Sequence, residues 1–165
     1  MDSPAIPVPL IRKATLADAA PLAHLMTELG HPTTPAELQH RYAAWESEGN
    51  IAFVAANDAG ELLGVVTLHR MHVLHRPLPV GRITALVVDR RLHGRGIGRR
   101  LVSAAEDHLA GLGCGLVEVT SNLRRTDAHA FYERIGYERT SARFAKSVQR
   151  ARGVNAAHEA AHPGR

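Results

Sequence analysis

The segment Leu86-Val-Val-Asp-Arg-Arg-Leu-His-Gly-Arg-Gly-Ile-Gly-Arg-Arg100 constrains this chain more than any other, because it joins a buried strand to an amphipathic helix through a glycine-rich turn. Upstream, Ile83, Leu86, Val87 and Val88 predict a strand over residues 80–89 that is largely buried on both faces and therefore central. Downstream, Ile97, Leu101, Ala105, His108, Leu109 and Leu112 recur at helical spacing until Gly111 and Gly113 end the pattern. At the junction the unpaired amides of a helix N-terminus and the positive end of its dipole converge, which favours an anion. Gly94, Gly96 and Gly98 let the backbone approach a bulky phosphate without Cβ contact, and Arg95, Arg99 and Arg100 add positive charge. A pyrophosphate fits this junction. The plainer reading is a strand-to-helix turn with solvated arginines. Strand, glycine triplet, arginines and helix occurring in that order favour the phosphate site.

Two other phosphate loops fit less well. A P-loop requires GxxxxGK[ST], and no Lys-Ser or Lys-Thr follows a glycine here. A dinucleotide-binding GxGxxG fails because Arg99 stands third after Gly96, although Glu118 falls about 20 residues on.

The rest of the chain supplies the layers around this unit. Residues 10–14 read as a short strand, and Thr15 with Asp18 forms a capping-box pattern opening a helix marked by Leu22, Leu25, Met26 and Leu29. Thr34, Pro35 and Glu37 repeat the start signal for a helix running to about Ser47. Residues 51–56 and 62–68 are apolar runs joined by Asn57-Asp-Ala-Gly60, which predicts a hairpin. After the central unit come a strand over residues 115–120, a helix over residues 127–134 closed by Gly136, and a last strand over residues 143–148. This order implies an α/β, mixed-sheet (α+β) domain over residues 1–148 with helices on both faces, followed by a disordered tail over residues 149–165.

Composition limits the function classes. With 45% apolar residues in 165, one domain can bury a core without disulfides or metal. The single cysteine, Cys114, forms no intramolecular disulfide, reads as a buried structural thiol, and suggests a reducing cytoplasm. Neither a secretory pattern nor an apolar run of the ~20 residues that span a bilayer is present, which predicts a soluble chain without a membrane partner. Lys plus Arg exceed Asp plus Glu by 20 to 16. The resulting pI near 9.8 allows a polyanionic partner. Aromatics make up only 4% of the chain and the arginines gather at one turn, which argues against nucleic acid.

Residues 82–137 resemble the core of the GNAT acetyltransferase superfamily, and the element order extends the resemblance over residues 10–148. The family loop [QR]-x-x-G-x-[GA] reads here as His93-Gly-Arg-Gly96-Ile-Gly98, with His93 in place of Gln or Arg. The resemblance implies that acetyl-CoA is the co-substrate. Amides of Gly94, Arg95, Gly96, Ile97, Gly98 and Arg99 would hold the pyrophosphate, and backbone groups of Leu86, Val87 and Val88 would meet the pantetheine arm where neighbouring strands splay. Ala128-His-Ala-Phe-Tyr132-Glu-Arg-Ile-Gly136-Tyr137 is similar to the family's A-x-x-x-Y-x-x-x-G-[FY] helix. Arg125 stands where the family has Asn, with Asn122 nearby, and both are carried as coenzyme contacts.

The implied reaction is acetyl transfer to a primary amine of a small molecule or peptide by direct attack. It needs a free amine, a donor to the carbonyl oxygen and a proton source for the thiolate. A Tyr hydroxyl near the sulfur can serve there as acid or hydrogen-bond donor, and Tyr132 takes that role by its place in the matched helix. No base is named: His69, His72 and His75, and Glu28, His31 and Asp89, are equally weak candidates, and although the histidine spacing of three suits metal ligands, no Cys or second cluster accompanies it, so they read as exposed loop histidines. The resemblance puts the acceptor pocket near residues 25–42 and 71–79; Tyr42 and Trp45 read as helix packing. Homodimers are frequent in such families, though no interface signature is visible. Two readings compete: a regulatory module that binds acetyl-CoA without turnover, and a nucleic-acid binder using Arg90, Arg91, Arg95, Arg99 and Arg100.

Overall fold

The structure is a computed structural model that describes residues 8–148; the first seven residues and the segment 149–165, read above as a disordered tail, lie outside the described residues. Its elements run β1 (Leu10–Lys13), α1 (Ala19–Glu28), α2 (Pro35–Ser47), β2 (Ile51–Ala56), β3 (Leu62–Met71), β4 (Val80–Val88), α3 (Ile97–Gly111), β5 (Leu116–Val119) and α4 (Thr126–Arg134). Short 3-10 turns at Leu16–Asp18 and Arg90–Leu92 precede α1 and α3.

The helix starts follow from local side chains. Asp18 accepts the Thr15 N–H at 2.9 Å and both arms of the Arg12 guanidinium at 2.8 Å, so one carboxylate fixes the first turn and ties it to β1. Around Pro35, the Thr34 N–H donates to the Glu37 carboxylate at 2.8 Å and Thr34 Oγ1 accepts the Glu37 N–H at 3.2 Å, a reciprocal capping box. In the β2–β3 connection, Asn57 Oδ1 accepts the Glu61 N–H at 2.8 Å and the Asn57 N–H donates to the Glu61 carbonyl at 3.0 Å, which closes the turn of the hairpin.

The five strands lie in the order β1-β2-β3-β4-β5, antiparallel except for the parallel β4–β5 pair. One face buries Leu22, Leu25, Leu38, Tyr42, Val54, Val65 and Val87 beneath α1 and α2. The other buries Val66, Leu68, Ile83, Ile97, Leu101, Val102 and Leu109 beneath α3. The mixed sheet covered on both faces is the predicted architecture. Tyr42 and Trp45 are packing residues, their rings 5.5 Å apart and the Tyr42 hydroxyl donating to the Ala14 carbonyl at 3.2 Å. Cys114 is half-buried against the α3-side core, more open than expected.

Two expectations are corrected. The segment 143–148 forms no strand: residues 138–148 are all exposed and carry no regular structure. A strand sequence becomes a strand only against an edge it can pair with, and this one does not meet β5 in its own chain. Also, β4 is buried on both faces only in its first half; Thr84 is exposed and Ala85 and Leu86 are half-buried, because that stretch borders the cavity described below. The segment 71–79 does not line that cavity. Among the described residues no helix is long and apolar enough to cross a membrane.

Candidate active site

The site begins with a change of partners along β4. Cross-strand pairing with β5 covers only Val80, Gly81, Arg82 and Ile83, anchored by an ion pair between Arg82 and Glu118. Pairing with β3 continues to Val88. From Thr84 onward, β4 is therefore bonded on one side only, and its other backbone edge faces a cavity of about 1310 Å³. A bulge helps to aim this half: the register passes from Leu68↔Ile83 to Thr67↔Ala85, leaving Thr84 as the extra residue. Its hydroxyl lies 2.7 Å from that of Thr67. Gly64 of β3 permits the close approach beneath, since a Cβ there would sit 2.8 Å from the Val87 carbonyl oxygen.

The turn after β4 is fixed by its own side chains. Asp89, 6% exposed, accepts the Arg91 N–H at 2.9 Å and the Arg91 guanidinium at 2.6 Å. Those bonds hold its carboxyl well below the usual range, at about 2. The His93 ring donates Nε2–H to the Val88 carbonyl at 2.9 Å, and Arg90 donates to the Glu28 carbonyl at the end of α1 at 3.2 Å. His93 thus has a definite role despite its departure from the family residue: it ties the loop back to β4.

Gly94 and Gly96 then take φ of 78° and 77°, a region costly for residues with a Cβ. Gly96 is the N-cap of α3 and supplies no side chain to cap it. The first α3 amides accordingly point outward without side-chain partners, at the positive end of a helix 15 residues long.

Across the cavity stands α4. Burial pushes the Tyr132 hydroxyl up to about 12, against a weaker opposing pull from Arg125. Its ring packs edge-on against Phe131 at 5.2 Å and Tyr137 at 5.5 Å. Gly136 ends the helix: its N–H donates to Glu133 and that of Tyr137 to Tyr132, a Schellman pair. Burial and a hydrogen bond to Glu106 also raise the Tyr137 hydroxyl.

Leu86, Val87, Val88, His93, Gly94, Gly96, Ile97, Gly98, Arg99, Asn122, Arg125 and Tyr132 all line this one cavity; Arg95 does not. Asn122 is less free than expected. Its Oδ1 accepts the Arg124 N–H and its carbonyl accepts His129 Nε2, both at 2.9 Å, so it shapes the turn into α4. Arg125 lies 3.9 Å from Asp127. Of the base candidates, Glu28 and His31 reach the cavity, whereas Asp89 is committed to Arg91. His69, His72 and His75 do not line it, and no group of three or more His, Cys, Asp or Glu side chains that could hold a metal forms among the described residues. Sequence reasoning missed Arg124 and the bulge that sets Thr84 at the cavity. The Thr67–Thr84 pairing follows from the bulge, for which no local motif exists.

The site is thus a mixed sheet in which β4 parts from β5 beside the uncapped N-terminus of α3. The sequence model described as Acetyltransferase (GNAT) family matches residues 19–137, and the chain belongs to that family. It is 33% identical over 148 residues to the aminoalkylphosphonate N-acetyltransferase of Salmonella typhimurium, covering 87% of this chain and 94% of the relative. It is 29% identical to the aminoglycoside N(6')-acetyltransferase type 1 of Stenotrophomonas maltophilia, covering 80% and 88%. In fold it is similar to glucosamine-6-phosphate N-acetyltransferase from Arabidopsis thaliana, with a TM-score of 0.73, 23% identity and coverage of 86% and 99%. An acetyltransferase from Trypanosoma brucei superposes with a TM-score of 0.75 at 22% identity, covering 85% and 99%.

Proposed function

We propose that this chain is an N-acetyltransferase that moves the acetyl group of acetyl-CoA to a primary amine of a small molecule or peptide, with residues 1–148 as its GNAT domain. One observation carries the reading: the one-sided half of β4 runs directly into the uncapped α3 N-terminus within a single cavity that also holds Tyr132. The residues fit the coenzyme. A Cβ at Gly94 or Gly96 would meet no protein atom within 4 Å, so the loop leaves room for phosphates, and the Ile97, Gly98 and Arg99 amides with the Arg99 guanidinium supply donors. The open edge of Leu86, Val87 and Val88 offers backbone groups for the pantetheine amides, the Val88 carbonyl excepted because His93 already holds it.

When bound, acetyl-CoA supplies an activated thioester carbonyl. The β4 backbone edge polarises that carbonyl while the free amine attacks it. Tyr132 holds its proton at Oη throughout the neutral range. Giving that proton up entirely to a thiolate of ordinary pKa near 8.5 would cost about 5 kcal/mol. The hydroxyl therefore acts as a hydrogen-bond donor to the departing sulfur, and the sulfur's proton comes from the attacking nitrogen. The names of the two relatives, both acting on amines of small molecules, support an acceptor of that kind. The single cysteine supports a reducing, cytoplasmic setting.

The test is thiol release from acetyl-CoA against a panel of aminoalkylphosphonates, aminoglycosides and short peptides. Amine-dependent release is the expected result. Tight coenzyme binding with no release across the panel would instead favour the regulatory module.

A further inference from the structure

The Tyr132 ring owes its place to few contacts. α4 buries none of its residues, and most side-chain bonds around it are local: His129 to the Asn122 carbonyl, Arg125 to Asp127, and Arg139 to Glu133. One bond reaches further. The Tyr137 hydroxyl, just beyond the end of α4, donates to Glu106 Oε1 on α3 at 2.9 Å. Tyr137 is also the residue that grips Tyr132. The two rings meet edge-on at 5.5 Å, and the Tyr137 N–H donates to the Tyr132 carbonyl at 3.0 Å. On either side of Glu106, Leu101, Val102, Ala105 and Leu109 seat α3 in the core with at most 1% of each exposed. A continuous chain of contacts therefore runs from the rigid core through one carboxylate and one phenol to the reacting phenol.

We infer that Glu106 and Tyr137 are positioning residues for Tyr132: their bond fixes the Tyr137 ring on α3, and that ring sets where the Tyr132 hydroxyl meets the departing sulfur. The inference rests on the proposed role of Tyr132. A carboxylate suits the post because it only accepts, so the Tyr137 hydroxyl donates in one direction and its ring is held in one place. Neither Glu106 nor Tyr137 lines the cavity, so their effect on turnover passes through Tyr132. The light packing of α4 leaves the Tyr132 hydroxyl some travel. The tether at the end of the helix decides where that travel is centred, and a misplaced catalytic group loses rate without losing coenzyme affinity.

Two measurements on the full chain test it: thiol release from acetyl-CoA with an aminoalkylphosphonate and an aminoglycoside as acceptors, and carbon-13 NMR of tyrosine Cζ. The chain has three tyrosines, so Tyr132→Phe and Tyr137→Phe assign the spectrum. Glu106→Met should lower kcat about tenfold with an unchanged dissociation constant for acetyl-CoA, and should shift the Tyr132 resonance as well as that of Tyr137. Tyr137→Phe, the gentler change should Glu106→Met fold poorly, should lower kcat equally, and the double variant should fall no further because both remove one bond. Glu106→Gln keeps an acceptor oxygen and should stay within about twofold of the native chain. A purely structural bond would lower Tm and leave kcat and the Tyr132 resonance where they were. That result overturns the inference, and a loss of kcat in Tyr132→Phe beside it leaves the reading of Tyr132 intact. If Tyr132→Phe keeps full kcat, that reading fails and the positioning role is overturned with it. The spectral measurement needs no acceptor: a Tyr132 resonance that stays fixed in Glu106→Met overturns the inference whichever amine the enzyme takes.

Discussion

Two helices, α3 and α4, approach the same face of the sheet and end in the same Schellman geometry, yet they are held very differently. α3 sinks Ile97, Leu101, Val102, Ala105 and Leu109 into the core, whereas Phe131 and Tyr132 of α4 and Ile135 at its C-cap stay half-buried. The difference matches what each helix presents to the cavity. The amides at the start of α3 stabilise a charged group only if they are already in place before it arrives, and rigid packing provides that. In the proposed reaction the Tyr132 hydroxyl meets a sulfur whose position depends on the bound acceptor, and lighter packing leaves room for adjustment.

The largest expected effect probes the packing itself. Leu101 is 0% exposed, and Leu101→Ala should cost about 3 kcal/mol of unfolding free energy by chemical denaturation. Ile135→Ala, at the half-buried end of α4, should cost about 1 kcal/mol at the same protein concentration. Equal costs would break the contrast between the helices. Next comes chemistry: Tyr132→Phe should lower kcat about 10²-fold while the dissociation constant for acetyl-CoA stays unchanged. An unchanged kcat removes Tyr132 from the reaction, and a weakened coenzyme would move its role to binding.

The same contrast explains what could be read in advance. The α3 side was legible because its determinants are local: a glycine triplet, a helical apolar stripe and a buried strand occupy one continuous stretch of sequence. The capping boxes at Thr15 and Thr34 were legible for the same reason. What escaped was set by pairing between distant segments. The bulge at Thr84 arises from the register of β3 against β4, and the fate of residues 143–148 depends on whether an edge is within reach, which alternation alone does not encode. His93 was identified by position, but its bond to the Val88 carbonyl became visible only when the loop folded back on the strand. Its neighbour Asp89, carried only as a weak base candidate, proved to be the residue that shapes the turn.

Asp89 provides the smallest test, on the rigid side. Its carboxyl sits at about 2 when folded and near 3.8 when free, so the folded state favours the ionised form. The associated stability is fully present above about pH 4 and is lost as the pH falls from there toward 2. Asp89→Asn removes the titration, and its stability should decline less steeply than that of the native chain across this window. A slope remains in the variant because the Arg12 guanidinium holds Asp18 below its ordinary value in the same sense. Denaturation at several pH values between 2 and 5 measures the two slopes. Identical slopes would mean that the Asp89–Arg91 contacts contribute nothing to folding. The turn ahead of α3 would then owe its shape to His93 and the two positive-φ glycines alone, and the rigidity ascribed to this side would begin only at the helix.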